Sequence, residues 1–172
     1  MDPIAFSVYG TPQTAGSKKA FVVKSKNGGR PRAVVTDDNK RSKPWKDQVA
    51  QQAGLAMRRR ELLRGPLEMR LVFHVRRPQG HFGRRGLLPS AAAYPITRPD
   101  LSKYTRAVED ALTGVVWHDD AQVVRQILEK HYGQPERVEI CIRPLESQVS
   151  ELPIAEQTSL LVESTPRGEL RV

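Results

Sequence analysis

The chain has 172 residues, with 28 Lys and Arg against 19 Asp and Glu and a net charge of +9. That length suits one domain able to bury its own core, and the single cysteine, Cys141, excludes an internal disulfide. No run is long and apolar enough for a bilayer-spanning helix or a signal-peptide core, so the expected setting is a reducing cytoplasm with no membrane partner. The charge is uneven: Pro144 to Val172 holds five Glu against two Arg, a net of −3, which leaves +12 on residues 1–143. So basic a domain attracts polyanions through phosphate neutralisation, and nucleic acid heads the expected partners, ahead of a merely solubilising surface.

Ile4 to Tyr9 reads as a first strand ending at Gly10-Thr11-Pro12. Lys19 to Lys24 and Arg32 to Thr36 flank the turn signal Asn27-Gly28-Gly29 and predict a hairpin near the pair Lys18-Lys19. With Ser42 as N-cap and Pro44 in the first turn, a helix is expected over Lys43 to Leu62, carrying Trp45, Val49, Ala53, Ala56 and Met57 at near-helical spacing. Leu67, Met69, Leu71, Phe73 and Val75 alternate with Glu68, Arg70, Val72, His74 and Arg76, the period of a half-buried strand. Pro78 to Arg98, rich in Gly and Pro with Arg84-Arg85 at its tip, is expected to be a long mobile loop of functional type.

Asp100 to Leu112 predicts a second helix. Its apolar face carries Leu101, Tyr104, Val108, Ala111 and Leu112, and its charged side Ser102, Lys103, Arg106, Glu109 and Asp110. Gly114 should break this helix and Trp117 anchor the next turn, leaving Asp119-Asp120 ahead of two strands, Gln122 to Lys130 and Arg137 to Arg143. Leu145 to Val172 lacks sustained periodicity, so the expected division is a domain over 1–143 and an acidic, flexible or peripheral tail over 144–172. There is no repeat, no glycine-rich phosphate loop and no cysteine or histidine cluster at zinc-ligand spacing.

The chemistry concentrates in residues 98–120. By itself Asp100 reads as a helix N-cap, and Asp119-Asp120 as a solvated turn. Brought together by the fold, two or three such aspartates would suffice for a hard divalent cation that keeps several waters.

Several spaced segments then act in concert: Arg98-Pro99-Asp100-Leu101, Ala107 with Asp110-Ala111-Leu112-Thr113-Gly114, and Val116-Trp117-His118-Asp119-Asp120-Ala121-Gln122-Val123-Val124. With Tyr9-Gly10-Thr11-Pro12, Lys43-Pro44-Trp45 and the strand Leu67 to Val75, they resemble the RusA family of Holliday junction resolvases over about residues 4–143. The resemblance implies a small α+β domain, a mixed β-sheet flanked by two main helices. It further implies a homodimer that binds four-way DNA junctions and nicks two strands symmetrically with Mg²⁺ or Mn²⁺, in a bacterial or bacteriophage-infected cell.

The family pattern implied for the site has aspartates at Asp100 and Asp120, a further aspartate where this chain has Ser102, and a lysine where it has Arg106. Glu109, seven residues after Ser102 on nearly the same helical face, is a candidate replacement carboxylate; the bland reading is an i,i+3 ion pair with Arg106. The expected catalytic residues are thus Asp100, Asp120, Arg106 and Lys103. The expected metal ligands are Asp100, Asp119, Asp120 and Glu109. Asp110 ranks below them and has Lys103 as a candidate partner, while Lys18, Lys19, Lys43, Arg84 and Arg85 are the expected DNA contacts.

Other readings compete. A junction-binding protein of the same fold with weakened or lost catalysis would bear Ser102 as the missing ligand. A regulatory RNA-binding module would leave the acids of residues 100–120 unexplained, and a restriction-type site lacks a following Glu-X-Lys.

Overall fold

Alternating apolar residues in four segments build the sheet on which everything else rests. The computed structural model describes residues 2–16, 18–23, 32–37 and 39–145. In chain order these form β1 (Ile4–Tyr9), β2 (Lys18–Val23), β3 (Arg32–Asp37), α1 (Ser42–Met57), β4 (Leu67–Val75), β5 (Phe82–Gly83), β6 (Gly86–Leu87), α2 (Leu101–Leu112), β7 (Val123–Tyr132) and β8 (Arg137–Pro144). The fold is α+β, with two main helices and a mixed sheet ordered β1-β8-β4-β7.

Register puts the apolar alternation of each strand on one face. Ile4, Phe6 and Val8 of β1 stand opposite Ile142, Ile140 and Val138 of β8, and these oppose Met69, Leu71 and Phe73 of β4. Apart from Phe6, which is partly buried, these side chains are buried, as are Trp45, Val49, Ala53 and Met57 of α1 and Tyr104, Ala107, Val108, Ala111 and Leu112 of α2. Phe73 stacks on Tyr104 with ring centroids 5.2 Å apart, so α2 lies on the apolar face. The opposite face is a ladder of ion pairs: Glu68 is bracketed by Arg143 at 2.8 Å and Arg125 at 3.0 Å, and Arg70 meets Glu129 at 2.7 Å. Those two arginines, Arg143 foremost, hold the Glu68 carboxyl below the ordinary carboxylate range.

β4 pairs with β7 in parallel, with an irregularity at Leu67/Glu68, where Val123 is opposite Leu67 but Arg125 is opposite Glu68. The extra residue, Val124, is a β-bulge that switches the side-chain phase. Val123 can therefore pack on the core while Arg125 reaches Glu68 on the other face, and Gln126, Leu128 and Lys130 share the face that meets α2.

The hairpin expected before the first helix is present as antiparallel β2 and β3; the turn expected at Asn27-Gly28-Gly29 and the side chains of Lys18 and Lys19 lie outside what is described, as does 146–172. Two helix boundaries differ from the sequence reading. α1 ends at Met57 instead of Leu62, because Arg58 and Arg59 adopt left-handed φ of 47° and 65°, and the chain then turns to bring Leu63 N–H to the Val116 carbonyl at 2.7 Å. Ser42 is the first helical residue and its buried hydroxyl has no partner among the described residues; Asn39 shapes the entry by accepting from Arg41 N–H at 3.1 Å. The segment after β4 is also more ordered in outline than a bare loop, since it contains the β5–β6 hairpin.

Gly114 stops α2 with φ of 79°, a left-handed conformation that favours glycine, and donates to the Trp117 carbonyl at 2.7 Å. Trp117 is fully buried, as expected, and its indole N–H donates to Thr113 Oγ1 at 3.1 Å. Replacing it with alanine leaves a large void under the turn that carries Asp119 and Asp120. Trp117→Ala should cost about 3–5 kcal/mol in urea unfolding, whereas Val124→Ala on the exposed bulge should stay within about 0.5 kcal/mol.

Candidate active site

Two polar side chains of β7 hold α2 in place. Lys130 Nζ donates to the carbonyls of Thr97 at 3.0 Å and Pro99 at 2.9 Å, and Gln126 Nε2 donates to Glu109 Oε1 at 2.6 Å. The later strand residue holds the start of the helix and the earlier one its last turns, so α2 runs antiparallel to β7. Sequence reading missed Gln126 and Lys130. The available signal was a strand polar on both faces, which implies that one face is covered by a charged helix edge instead of core.

Asp100 sits at the start of α2, exposed. Its backbone carbonyl accepts from Lys103 and Tyr104, but its carboxylate makes no cap bond and pairs with Lys103 Nζ at 3.3 Å. The N-cap reading of the Asp100 side chain is thereby corrected: a cation one turn along competes successfully for the carboxylate. Asp110 does not pair with Lys103; it bridges to Lys46 on α1 at 3.0 Å.

At the far end, the turn before β7 is latched to the α1–β4 connection. Gln122 Nε2 donates to the carbonyls of Leu63 at 3.0 Å and Gly65 at 3.3 Å, while its side-chain oxygen accepts from His118 and Asp119 N–H. Asp119 Oδ1 accepts from Ala121 N–H at 2.9 Å, so one of its oxygens caps the turn. A depression of about 550 Å³ lined by Arg64, His118, Asp119 and Gln122 adjoins this turn.

Glu109 is the carboxylate that feels its acidic neighbours. Partial burial, followed by the charge of Asp120, pushes the Glu109 carboxyl above its ordinary value, against the opposing hydrogen bond from Gln126. Arg106, exposed on the same stripe as Ser102 and Glu109, makes no hydrogen bond or ion pair among the described residues, and its charge is felt at Glu109. In place of the i,i+3 ion pair with Arg106, the bland reading of Glu109, its carboxylate takes the Gln126 bond. Asp100 and Glu109 are nine positions apart, about 13 Å along the helix axis, and no group of three His, Cys, Asp or Glu suited to a metal ion forms among the described residues.

Of the expected DNA contacts, Arg84 and Arg85 are exposed without partners among the described residues, and Lys43 is exposed but paired with Asp47 at 3.0 Å. No helix among the described residues is long and apolar enough to cross a membrane.

Acids and an arginine without a partner among the described residues thus range along one helix of a domain in which residues 1–143 carry +12. Residues 12–143 match the family described as "Endodeoxyribonuclease RusA", and the chain belongs to that family of nucleases, which act on branched DNA junctions. It is also 32% identical over 151 residues, 83% of this chain and 97% of the relative, to the "Uncharacterized protein YqaN" of Bacillus subtilis (strain 168).

A carboxyl with a raised folded-state pKa favours the unfolded chain once pH passes its ordinary value of 4.5. Its cost to stability grows as pH rises through the interval up to the raised value, and is absent well below 4.5. Glu109→Gln keeps an acceptor for Gln126 and removes the charge. In metal-free thermal melts it should match wild type at acidic pH and melt higher at neutral pH; a lower midpoint at neutral pH would contradict the electrostatic account.

Proposed function

We propose that this protein is a structure-selective endodeoxyribonuclease that resolves four-way DNA junctions by paired phosphodiester hydrolysis with Mg²⁺, or Mn²⁺, at the α2–β7 edge. The observation that carries this reading is the placement of Glu109, its carboxyl raised by partial burial and then by the charge of Asp120, on the helix stripe that bears Arg106, a guanidinium without a partner among the described residues, in a chain of the RusA family. A carboxylate made costlier to ionise by partial burial and a neighbouring negative charge fits a hard cation, which needs few protein oxygens because it retains water. Asp120 and Glu109 would hold it, with the second oxygen of Asp119 as a further donor; Asp100, about 13 Å from Glu109 along the helix axis, lies beyond reach of the same ion. When bound, such an ion supplies Lewis acidity toward the phosphodiester and activates water for attack.

The chain's own residues do the rest. Arg106 stays protonated, so it serves to bind the scissile phosphate and offset its developing charge rather than to move protons. Lys103, held to Asp100 in this structure, supplies a second cation once that carboxylate is otherwise engaged. Lys130 positions Asp100 through the carbonyls of Thr97 and Pro99, and hydrolysis leaves a 5′-phosphate and a 3′-hydroxyl. Paired nicks on a two-fold symmetric junction call for two related sites, hence a homodimer. The single cysteine and the DNA substrate fit the cytoplasm of a bacterial or bacteriophage-infected cell.

A second reading, a junction-binding protein with weakened or lost catalysis, draws on Ser102 and on the lack of a three-acid group among the described residues. Wild type, Asp120→Asn and Glu109→Gln on a synthetic four-way junction separate the two. With chelator present all three should bind comparably. With Mg²⁺, Asp120→Asn should cut at least about 100-fold more slowly and Glu109→Gln about 10-fold or more. Cleavage surviving Asp120→Asn removes the site assignment; binding by all with cleavage by none selects the second reading.

A further inference from the structure

The segment between β4 and α2 carries a surface that the hydrolytic site does not use. In the β5–β6 hairpin Phe82 stands opposite Leu87 and Gly83 opposite Gly86, leaving Arg84 and Arg85 as the two turn residues. Residues directly opposite across an antiparallel pair project to the same side. Phe82 and Leu87 are 53% and 54% exposed, and Leu88 beside them 38%. The turn is tight enough that a side chain at Gly83 would come within 3.0 Å of Leu88.

The hairpin is anchored at its base. Leu88 N–H donates to the His81 carbonyl at 2.9 Å, and Arg77 donates to the Ala92 carbonyl at 2.8 Å while lying 4.1 Å over the ring of Tyr132. His81 meets the same ring edge-on at 5.6 Å. Tyr132 ends β7, two positions beyond the Lys130 that holds Thr97 and Pro99, so the hairpin and the start of α2 rise from the same end of the sheet.

We propose that this hairpin reads the branch point of the DNA, with Phe82 and Leu87 packing on bases left unstacked at the centre of the junction and Arg84 and Arg85 on the phosphates beside them. The inference rests on the junction-nuclease reading above and adds how a branch is told from a linear duplex. An exposed ring beside guanidinium groups suits unstacked bases and phosphates, whereas a continuous duplex offers the phosphates but buries its base faces. The two arginines, unpartnered among the described residues, and the +12 charge of residues 1–143 favour this polyanion over an apolar protein surface.

The test uses a four-way junction with 2-aminopurine beside the branch point and a linear duplex of equal arm length, without divalent metal. Wild type should bind the junction more tightly and raise the fluorescence. Phe82→Ala should abolish that rise and weaken junction binding on the order of ten-fold while leaving duplex binding unchanged; Leu87→Ser should act the same way more weakly. The Arg84→Ser, Arg85→Ser double variant should weaken both DNAs and lower the slope of log affinity on log salt by about two. Phe82→Ala and Leu87→Ser variants that bind and unstack like wild type would overturn the inference while leaving the nuclease reading in place. A Phe82→Ala variant that turns a dimer into a monomer in sedimentation would reassign the patch to a second copy of the chain. A wild type that does not distinguish junction from duplex would remove the junction reading itself.

Discussion

A parallel strand pair cannot be closed by a short turn, so a chain leaving β4 at Val75 must travel back along the sheet before β7 can begin opposite Leu67. With nine residues in β4, that return covers roughly 30 Å. α2 is the return leg, and its direction follows from the pairing. The hairpin with Arg84 and Arg85 is consequently at the end of the sheet where β4 finishes, together with Asp100, and the Asp119–Asp120 turn is at the end where β7 starts. Glu109, near the finish of α2, is therefore the helix carboxylate that feels Asp120.

The bulge at Val124 refines that geometry. Without the extra residue Gln126 would lie on the opposite face from Val123, and the bond to Glu109 would be lost to the ion-pair ladder behind the sheet. With it, one strand serves two surfaces: Arg125 and Glu129 knit the open face to β4, while Gln126 and Lys130 position the acidic helix. The latch from Gln122 to Leu63 and Gly65, over the buried Trp117, fixes the turn from below. Two carboxylates are thus held near each other by packing and backbone hydrogen bonds, independent of any favourable contact between them.

Serine at 102 leaves the helix stripe with Ser102, Arg106 and Glu109 in line, so the acid on that stripe stands two turns further along, next to Asp120. Membership of the RusA family supplies the class of chemistry, and Glu109, Arg106 and Asp120 are the residues proposed to carry it out.

The sequence by itself was enough for the strands at Ile4–Tyr9 and Leu67–Val75, the second helix to within its first residue, its stop at Gly114 and the core role of Trp117, because period, glycine and burial are local or composition-driven signals. It also contained the spaced segments of residues 98–124 that carry the family resemblance. It did not contain the end of α1, where two arginines take left-handed conformations to let Leu63 reach Val116, nor the partners of the charged residues. Lys46 for Asp110, Lys103 for the Asp100 carboxylate and Gln126 for Glu109 were settled by which elements pack together. Only the tertiary structure could decide those, since a charge on a helix face has several partners within reach in sequence and one in space, and the parallel β4–β7 pairing with its single bulge selects which one.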